Sequence, residues 1–486
     1  IASGSTEDSE FYGINAAILV QGGELTMTGG NIITSARGGN GLVATNGGTV
    51  IISGTTIEST GSASARGLHA TYGGVITASD MVISSTGGSC ATLATDRGEG
   101  TVSCSNCTLT TGGAGSPLIY STGSITVTNT TGTSSAAQAV VVEWKNSANI
   151  KSSKLKCTAS PNNKNDECGV LIYQSMSGDA ASGTSSFNCE SSTLEILSTS
   201  SYYSSAPIFY ITNTAANIDL NDCTFTYGSD KFLVADEGNW GDTGSNGGNV
   251  TLTLTNQNIE GDIIVGSSSY LIINMINSSI KGTINGDKTA SKLEITLDSD
   301  SSITLTGNSY YTSLTNAKTD NSNIITGSYT FNSVDESDEG STSDTSENTY
   351  SDVISQSQEE QGGSDQGPPS DQQGGPGNPP SDQGPGGQGG SDQGPPSDQQ
   401  GGPGEQGGDG TQNTESQTSS YDYSSYTATS VNTNLSGETV ESTTSGESAV
   451  YITESGINIE ESEINKSGDI ASGSTEDSEF YGINAA

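Results

Sequence analysis

The chain has 486 residues, 56 of them acidic and only 14 of them Lys or Arg, so its formal net charge at pH 7 is −42. Such a surface repels nucleic-acid phosphates and anionic membrane headgroups, which excludes both as expected partners. Hydrophobic residues make up 30% of the chain and glycines number 65. A compact enzyme of this length normally has more apolar side chains, whereas a disordered chain lacks the many short Ile/Val/Leu runs present here.

A repeating unit of three short strands is predicted from the N-terminus onward. Each unit opens with an apolar strand, predicted at 17–20, 41–44, 67–70, 91–94, 117–120 and 139–142. Alternating strands follow at 24–28, 49–53, 74–78, 100–104 and 124–128, and a third short strand closes the unit. The apolar strands align on Leu19, Ala44, Ala70, Ala94, Tyr120 and Val142, with spacings of 25, 26, 24, 26 and 22 residues.

A period in this range is typical of a solenoid, and three period-two strands per unit predict one rung of a parallel β-helix. Each rung buries one inward row of side chains by stacking on its neighbours, which explains how a chain so poor in apolar residues stays ordered. Less regular units, including 271–280 and 293–305, continue the pattern. Residues 1–332 are therefore predicted to form about a dozen rungs, roughly 60 Å long.

Residues 333–418 differ sharply in composition from the body. They are first acidic and then rich in Gly, Pro and Gln, and SDQGPPSDQQGGPG occurs at both 364–377 and 391–404. Without apolar residues this segment is predicted to be a disordered, flexible linker. Strand patterning returns at 419–486, which is predicted to form the first rungs of a β-helix.

The first 17 residues, IASGSTEDSEFYGINAA, recur letter for letter at 470–486, an offset of 469. Two explanations remain open: a tandem array of units of this length, which we favour, or a single unit whose sequence was delimited with overlapping ends. Residues 1–20 lack the basic and apolar regions of a signal peptide. Because the ends are duplicated, that absence says nothing about export. No run of 18 apolar residues predicts a membrane-spanning helix.

Seven cysteines and one histidine limit the chemistry. A single imidazole, His69, excludes a multi-histidine zinc site. Cys104 and Cys107 form an isolated C-x-x-C pair without the second pair that a zinc ribbon needs. Cys157 and Cys168 bracket a polar loop and are the best disulfide candidates, with buried thiols as the equally open alternative; the others are Cys90, Cys189 and Cys223.

Few groups of residues fit a catalytic site. Ser153 and Lys156 satisfy the S-x-x-K spacing, but no partner motif accompanies them. Asp96 and Arg97 follow a strand, in a position where parallel β-helix lyases and hydrolases place catalytic residues, yet a turn ion pair is the favoured interpretation. We therefore predict no enzyme activity and assign no catalytic residue.

Binding sites are weakly indicated. A dense group of oxygen ligands between 236 and 246 fits calcium, but its spacing does not match an EF-hand, so no cofactor is assigned and Ca²⁺ is kept only as a candidate. Trp144 and Trp240 have the chemistry to stack on sugars, although structural packing is favoured. Six Asn-x-Ser/Thr sequences are expected from composition alone; they begin at Asn106, Asn129, Asn249, Asn277, Asn434 and Asn465.

Several strings carry a resemblance, among them FYGINAA, ARGLHATYGG, ATDRGEGTV, NWGDTGSNGGNVTL and INGDKTASKLEITLDSDSSITLTG. Over about 1–320 and 430–486 the chain resembles right-handed parallel β-helix surface proteins of clostridia and related gut bacteria, often labelled adhesin-like or carbohydrate-binding-domain-containing. The resemblance implies that fold and an extracellular, cell-surface location. Such proteins commonly carry a Gly/Pro/Gln-rich segment before the helix, but the duplicated ends depart from the pattern.

The sequence thus predicts an extracellular structural or adhesive β-solenoid, a repeat or subunit of a surface filament. Its expected partners are other copies of itself, joined end to end through the strand edges that a solenoid leaves open. A module that binds surface glycans is the alternative. A polysaccharide lyase or hydrolase is less favoured, because no cluster of Asp residues lies near an Arg or Lys in the sequence.

Overall fold

A computed structural model describes Ser9 and residues 11–161, 167–175, 183–334 and 421–469. The predicted linker beyond Val334 and the second copy of the duplicated segment, at 470–486, lie outside the described residues. Within them, the chain consists almost entirely of parallel β-strands arranged in long sheets, which confirms the predicted parallel β-helix.

The first sheet has twelve strands and is built from the apolar strands that open each unit. In spatial order its members are β37 (Ala428–Val431), β40 (Ser448–Ile452), β1 (Ile18–Gln21), β4 (Leu42–Thr45), β7 (Leu68–Ala70), β10 (Leu93–Thr95), β13 (Ile119–Ser121), β16 (Val140–Glu143), β19 (Val170–Tyr173), β22 (Phe209–Thr212), β25 (Lys231–Ala235) and β28 (Asp262–Val265).

The second sheet has fourteen strands, so the stack of rungs is about 60 Å long at about 4.8 Å per rung. In spatial order its members are β38 (Leu435–Ser436), β41 (Ile457–Glu460), β2 (Glu24–Thr28), β5 (Thr49–Ser53), β8 (Val75–Ser79), β11 (Thr101–Ser105), β14 (Ser124–Thr128), β17 (Ser147–Lys151), β20 (Thr184–Glu190), β23 (Thr214–Asn221), β26 (Gly248–Thr255), β29 (Tyr270–Ile276), β31 (Lys292–Leu297) and β34 (Ser313–Asn316).

The third sheet has ten strands, and two smaller sheets complete the far end. The third sheet holds β39 (Thr439–Ser442), β42 (Glu463–Lys466), β3 (Asn31–Thr34), β6 (Thr56–Ser59), β9 (Val82–Ser85), β12 (Thr108–Thr111), β15 (Thr131–Ser134), β18 (Lys154–Cys157), β21 (Thr193–Ile196) and β24 (Thr224–Thr226). The smaller sheets hold β27 (Asn258–Glu260), β30 (Ser279–Gly282), β32 (Ser302–Leu305) and β35 (Ile324–Ile325), and β33 (Ser309–Tyr311) and β36 (Phe331–Ser333).

The narrow core follows from strict alternation along the strands. In β2, Leu25 and Met27 point inward and are buried, whereas Glu24, Thr26 and Thr28 are exposed. Each inward side chain stacks on its register partner in the next rung, so that Leu25 lies beside Val50. One buried row per strand is shared along the whole length, and this replaces the thick core of a globular domain.

The turn between the second and third sheets repeats one construction from rung to rung. Asn106 and Asn129 occupy its corner with φ of 57° and 51°, and Asn277 occupies the equivalent corner before the four-stranded sheet with φ of 47°. This left-handed conformation is one that Asn tolerates better than most residues. The Asn129 side chain donates to Asn106 Oδ1 over 2.7 Å, forming a ladder on the outside. These three Asn-x-Ser/Thr sequences are therefore explained by turn geometry.

A second ladder of polar side chains runs inside the same turn. The backbone N–H of Thr130 donates to Ser153 Oγ over 3.0 Å, and that of Ser153 donates to Ser192 Oγ over 3.0 Å. Further along, the N–H of Gln257 donates to Ser278 Oγ over 3.0 Å. These buried N–H groups are thus satisfied by a side chain of the next rung, which fixes the register without apolar volume.

The alignment of the apolar strands is wrong by one residue at three rungs. Leu19 pairs with Val43, which pairs with His69, and not with Ala44 and Ala70. Tyr120 pairs with Val141 and not with Val142. Turns of varying length shift the strands, and with period two a one-residue slip exchanges the inner and outer faces. Leu19 lies outside the tube, whereas Ala44 faces its core.

The order of rungs in space differs from their order along the chain. Strands β40, β41 and β42 pair with β1, β2 and β3 in all three sheets. The described C-terminal strands therefore precede the N-terminal rung on the same axis. Following the axis, the chain runs through 421–469 and then from Ile18 to Ser333.

Removal of one rung of the inner ladder tests its contribution. Ser153→Ala is expected to lower the free energy of unfolding by about 1–3 kcal/mol, because the buried N–H of Thr130 loses its acceptor. Thr110→Ala removes an exposed hydroxyl from β12 and should change the free energy of unfolding by less than about 0.5 kcal/mol. Denaturant unfolding of the full chain measures both, and equal effects would contradict the ladder's role.

Candidate functional site

The first sheet is buried on both faces, unlike the other two. Its outward column includes Leu19, Val43, His69, Ala94 and Val141, all with no exposed surface. The equivalent outward positions of β2 are exposed. Other chain segments cover this face and bring side chains from several rungs together beneath them. We therefore take the outer face of the first sheet as the candidate site.

Aromatic residues cover the N-terminal end of this face. Tyr12 stacks on Tyr72, with ring centroids 5.7 Å apart, and on Tyr421, at 4.9 Å. Tyr426 and Tyr451 continue the series at 5.0 Å. The cover therefore combines residues from both ends of the chain.

A buried charged group is formed by side chains from the rungs of β7 and β10. Arg66 Nη2 lies 3.4 Å from Asp96 Oδ2, and His69 Nε2 lies 3.9 Å from the same oxygen. All three residues are almost fully buried. Burial, and secondarily the charge of Arg66, hold the pKa of His69 well below its usual value, so the imidazole is neutral at pH 7.

A carboxylate and a phenol continue the face. Tyr120 Oη donates to Glu143 Oε2 over 2.8 Å, and the N–H of Ser175 donates to Glu143 Oε1 over 2.9 Å. Burial, together with the negative charge of Glu143, raises the pKa of Tyr120 well above its usual value. The phenol therefore stays protonated and holds the carboxylate in place.

Between these groups lies a small cleft with a cavity volume of about 30 Å³. Its lining combines a guanidinium with two phenols and small residues; it consists of Arg66, Ser89, Ala91, Gly115, Pro117, Tyr120 and Tyr173. Such a lining offers hydrogen bonds and aromatic faces. A nucleophile with an adjacent base is not among these residues.

The residues singled out as catalytic candidates have structural surroundings. The N–H of Arg97 donates to Asp96 Oδ1 over 3.0 Å, while the Arg97 guanidinium lies 3.9 Å from the centre of the Phe11 ring. Ser153 belongs to the inner ladder, and Lys156 Nζ lies 3.2 Å from Glu195 Oε2. Ser153 and Lys156 thus contact different partners.

The oxygen-rich loop at 236–246 is held together by its own hydrogen bonds. Asn246 Nδ2 donates to the carbonyls of Gly238 and Trp240, and Ser245 Oγ to that of Asp242. Across the described part of the chain, no three His, Cys, Asp or Glu side chains are grouped to hold a metal ion. Trp240 packs against Tyr173, with ring centroids 4.3 Å apart, and Trp144 occupies a left-handed turn with φ of 54°.

The candidate disulfide between Cys157 and Cys168 is wrong, and the equally open alternative of two buried thiols is confirmed. Cys104 and Cys107 are bonded to each other, whereas Cys157 and Cys168 are not. Cys157 points into the tube, and Cys168 packs with Val141 and Leu171 on the outer face of the first sheet. The wall of the solenoid separates the two thiols, although only a loop separates them in sequence. Burial raises the pKa of Cys157 to about 12.

Sequence reasoning missed Arg66, Tyr120 and Glu143 as members of one site. They lie 20 or more residues apart, and only the correct register brings them together. A signal was nevertheless present, because the opening strands show continuous apolar runs where a one-sided strand would alternate. That pattern indicates a sheet buried on both faces.

No protein-family model, curated protein or solved structure matches the chain. Among the described residues, no helix has the length and apolar character needed to cross a membrane.

The neutral buried histidine predicts a pH dependence of stability. His69 is the only histidine, and unfolding returns its pKa to about 6.5. Below that value the unfolded chain binds a proton that the native chain does not, so stability falls as pH decreases, by up to about 1.4 kcal/mol per pH unit. His69→Leu should lower this slope between pH 6.5 and 5.5, a window in which most carboxylates stay ionised. Unfolding midpoints across that window measure it, and an unchanged slope would contradict the assignment.

Proposed function

We propose that the protein is a structural rod of an extracellular surface filament, in which copies join end to end. The observation that carries this proposal is the pairing of β40, β41 and β42 with the N-terminal rung in the register of an uninterrupted solenoid. A rung from one part of the chain is thus a complete docking surface for a rung from another.

The flanks and the ends of the rod differ in the way that a filament requires. The outward rows of the second sheet are mostly short polar residues, and the net charge of −42 discourages side-by-side contact. Open strand edges are present only where a stack of rungs stops, and such edges pair readily with other strands. Association is therefore directed along the axis.

The duplicated segment supports a tandem arrangement of such rods. In an array, 421–469 would be followed directly by a second copy of residues 1–17 and then by Ile18. This is the order of rungs along the axis. In such an array the strands of 421–469 would precede β1, β2 and β3 along the chain, as they precede them in the stack.

The outer face of the first sheet does not favour the glycan-binding or catalytic alternatives. Trp240 belongs to an apolar cluster with Tyr173 and Leu171, and Glu143 is held by hydrogen bonds from Tyr120 and Ser175. These contacts hold the covering segments against the outer face of the first sheet. We therefore assign these side chains a structural role, which stiffens the rod.

Negative-stain imaging of the full chain tests the proposal. We expect rods about 60 Å long that join into strings, longer at 150 mM than at 10 mM salt because salt screens the repulsion between acidic rods. Particle mass measured over the same salt range checks the images. Isolated particles at every salt and protein concentration would overturn the proposal.

A further inference from the structure

Residues 421–469, here called the C-terminal segment, form two rungs that contribute to a core they cannot build alone. Ile452, Ile459 and Ile464 have no exposed surface, and they share one apolar cluster with residues of the N-terminal rung such as Leu25 and Met27. Two rungs bury their inward rows only by stacking on further rungs. A detached segment would expose these side chains, so it must dock.

Hydrogen bonds join the C-terminal segment to residues 12–37 of the body, which comprise the N-terminal rung and the residues beside it. Asn15 is the centre of this contact: its Nδ2 donates to the Gly468 carbonyl over 2.9 Å, and its Oδ1 accepts from the N–H of Gly446 over 2.9 Å. Tyr423 Oη donates to the Tyr12 carbonyl over 2.8 Å. Nothing in these contacts depends on the segment belonging to the same chain.

The chain connects this segment to the opposite end of the rod. Val334 follows the last rung, and 86 residues separate it from Tyr421 (421 − 334 − 1 = 86). A connection of that length reaches at most about 290 Å, so it spans a rod of about 60 Å. For a flexible chain the resulting effective concentration is on the order of 1 mM, which a second copy matches when copies are tethered or crowded on a surface.

We propose that the C-terminal segment of one chain docks on the N-terminal rung of a second copy, in place of that copy's own segment, and so joins the two rods. This mode of joining rests on the proposed filament function and names its partner and its surface. It is an exchange of an identical element, which creates no contact that the single chain lacks. A chain that donates its segment in one direction accepts one in the other, so the exchange continues without limit.

A cross-chain disulfide detects the exchange directly. Thr26 of β2 and Asn458 of β41 are register partners, and both side chains are exposed, so neither substitution touches the core. One full chain carries Thr26→Cys and another, of different mass through a tag, carries Asn458→Cys. After the two are unfolded, mixed, refolded and oxidised with oxidised glutathione, we expect a disulfide-linked heterodimer whose yield rises with protein concentration.

A matched pair inside the body provides the control. Thr126 of β14 and Asn149 of β17 are also outward register partners, but both of their rungs belong to one continuous body. Chains carrying Thr126→Cys and Asn149→Cys should therefore give at least tenfold less heterodimer. The double variant Thr26→Cys/Asn458→Cys should form its disulfide within or between chains, which verifies that the segment docks.

A shortened connection removes the competing intrachain docking. Deletion of residues 338–415 leaves eight residues between Val334 and Tyr421, a reach of about 30 Å, which is half the length of the rod. The double variant with this deletion should form only disulfide-linked oligomers. Monomers without the disulfide would show that the segment does not dock between chains.

The outcomes separate this inference from the function on which it rests. Strings of rods without a cross-chain disulfide would overturn the exchange and leave the filament proposal standing, with its joint elsewhere. Heterodimers without longer assemblies would support the exchange and overturn the filament. Heterodimer yields equal to those of the Thr126/Asn149 control, with full disulfide formation in the double variant, would show that the segment docks only on its own chain.

A separate observation concerns two buried thiols in neighbouring rungs. Cys189 lies in β20, Cys223 follows β23 of the next rung, and their sulfur atoms are 2.7 Å apart. A disulfide bond is about 2.05 Å long, so a small shift converts the contact into a bond. We infer that Cys189 and Cys223 form an oxidisable pair that clamps one rung to the next.

Oxidised glutathione is an adequate oxidant for this step. The contact between the two sulfur atoms lowers the pKa of Cys223 and raises that of Cys189. The Cys223 thiolate attacks the glutathione disulfide and releases one glutathione thiol. The Cys189 thiol then displaces the second glutathione. Two protein thiols are oxidised and one disulfide is reduced to two thiols.

Thiol counting tests the pair on the full chain of seven cysteines. After refolding in oxidised and reduced glutathione, alkylation in denaturant should label three thiols, because Cys104–Cys107 and Cys189–Cys223 are both bonded. The Cys223→Ser variant should give four. Five labelled thiols in the unsubstituted chain, or a peptide map that joins other cysteines, would overturn the inference.

Discussion

The backbone ladder between neighbouring rungs is the interaction on which the whole structure depends. A single rung has one short inward row on each strand and cannot exclude water from it. Paired in register on both sides, the same row becomes part of a continuous core, as Leu25 does between Val50 and Ile457. Stability is therefore a sum of contacts between neighbours, and every place where the stack stops leaves a surface that needs another rung.

Polar ladders explain how this stack tolerates so few apolar residues. At the turn between the second and third sheets, Thr130, Ser153 and Ser192 each accept a hydrogen bond from the backbone of the preceding rung. A hydroxyl in this position satisfies a buried N–H and at the same time fixes the register between neighbouring rungs. Asparagine at the left-handed corner adds a similar ladder outside the turn. The abundance of Ser, Thr and Asn is thus a consequence of repeated turn geometry.

The repeat period and the alternation along the second strands are local properties, so the fold class and strands such as β2, β5 and β14 could be predicted from the sequence with correct bounds. The candidate site could not. Tyr120 and Glu143 meet only because of a register that varies with turn length, and the distribution of Cys157 and Cys168 over two faces of one wall has no trace in their spacing. One-residue slips leave the period intact while exchanging the faces.

The neighbours of a rung are set by stacking alone. The order of rungs in space can therefore differ from their order along the chain. The C-terminal segment lies beside the N-terminal rung although the whole rod intervenes in sequence. In a globular domain with a thick core such a rearrangement would change the packing of many elements. Here the rearrangement changes only the covalent connection through which a rung reaches the N-terminal rung. The strands that dock there are equivalent whether they come from a neighbouring repeat, from the same chain or from a second copy. Tethering and local concentration then decide which of the three is used.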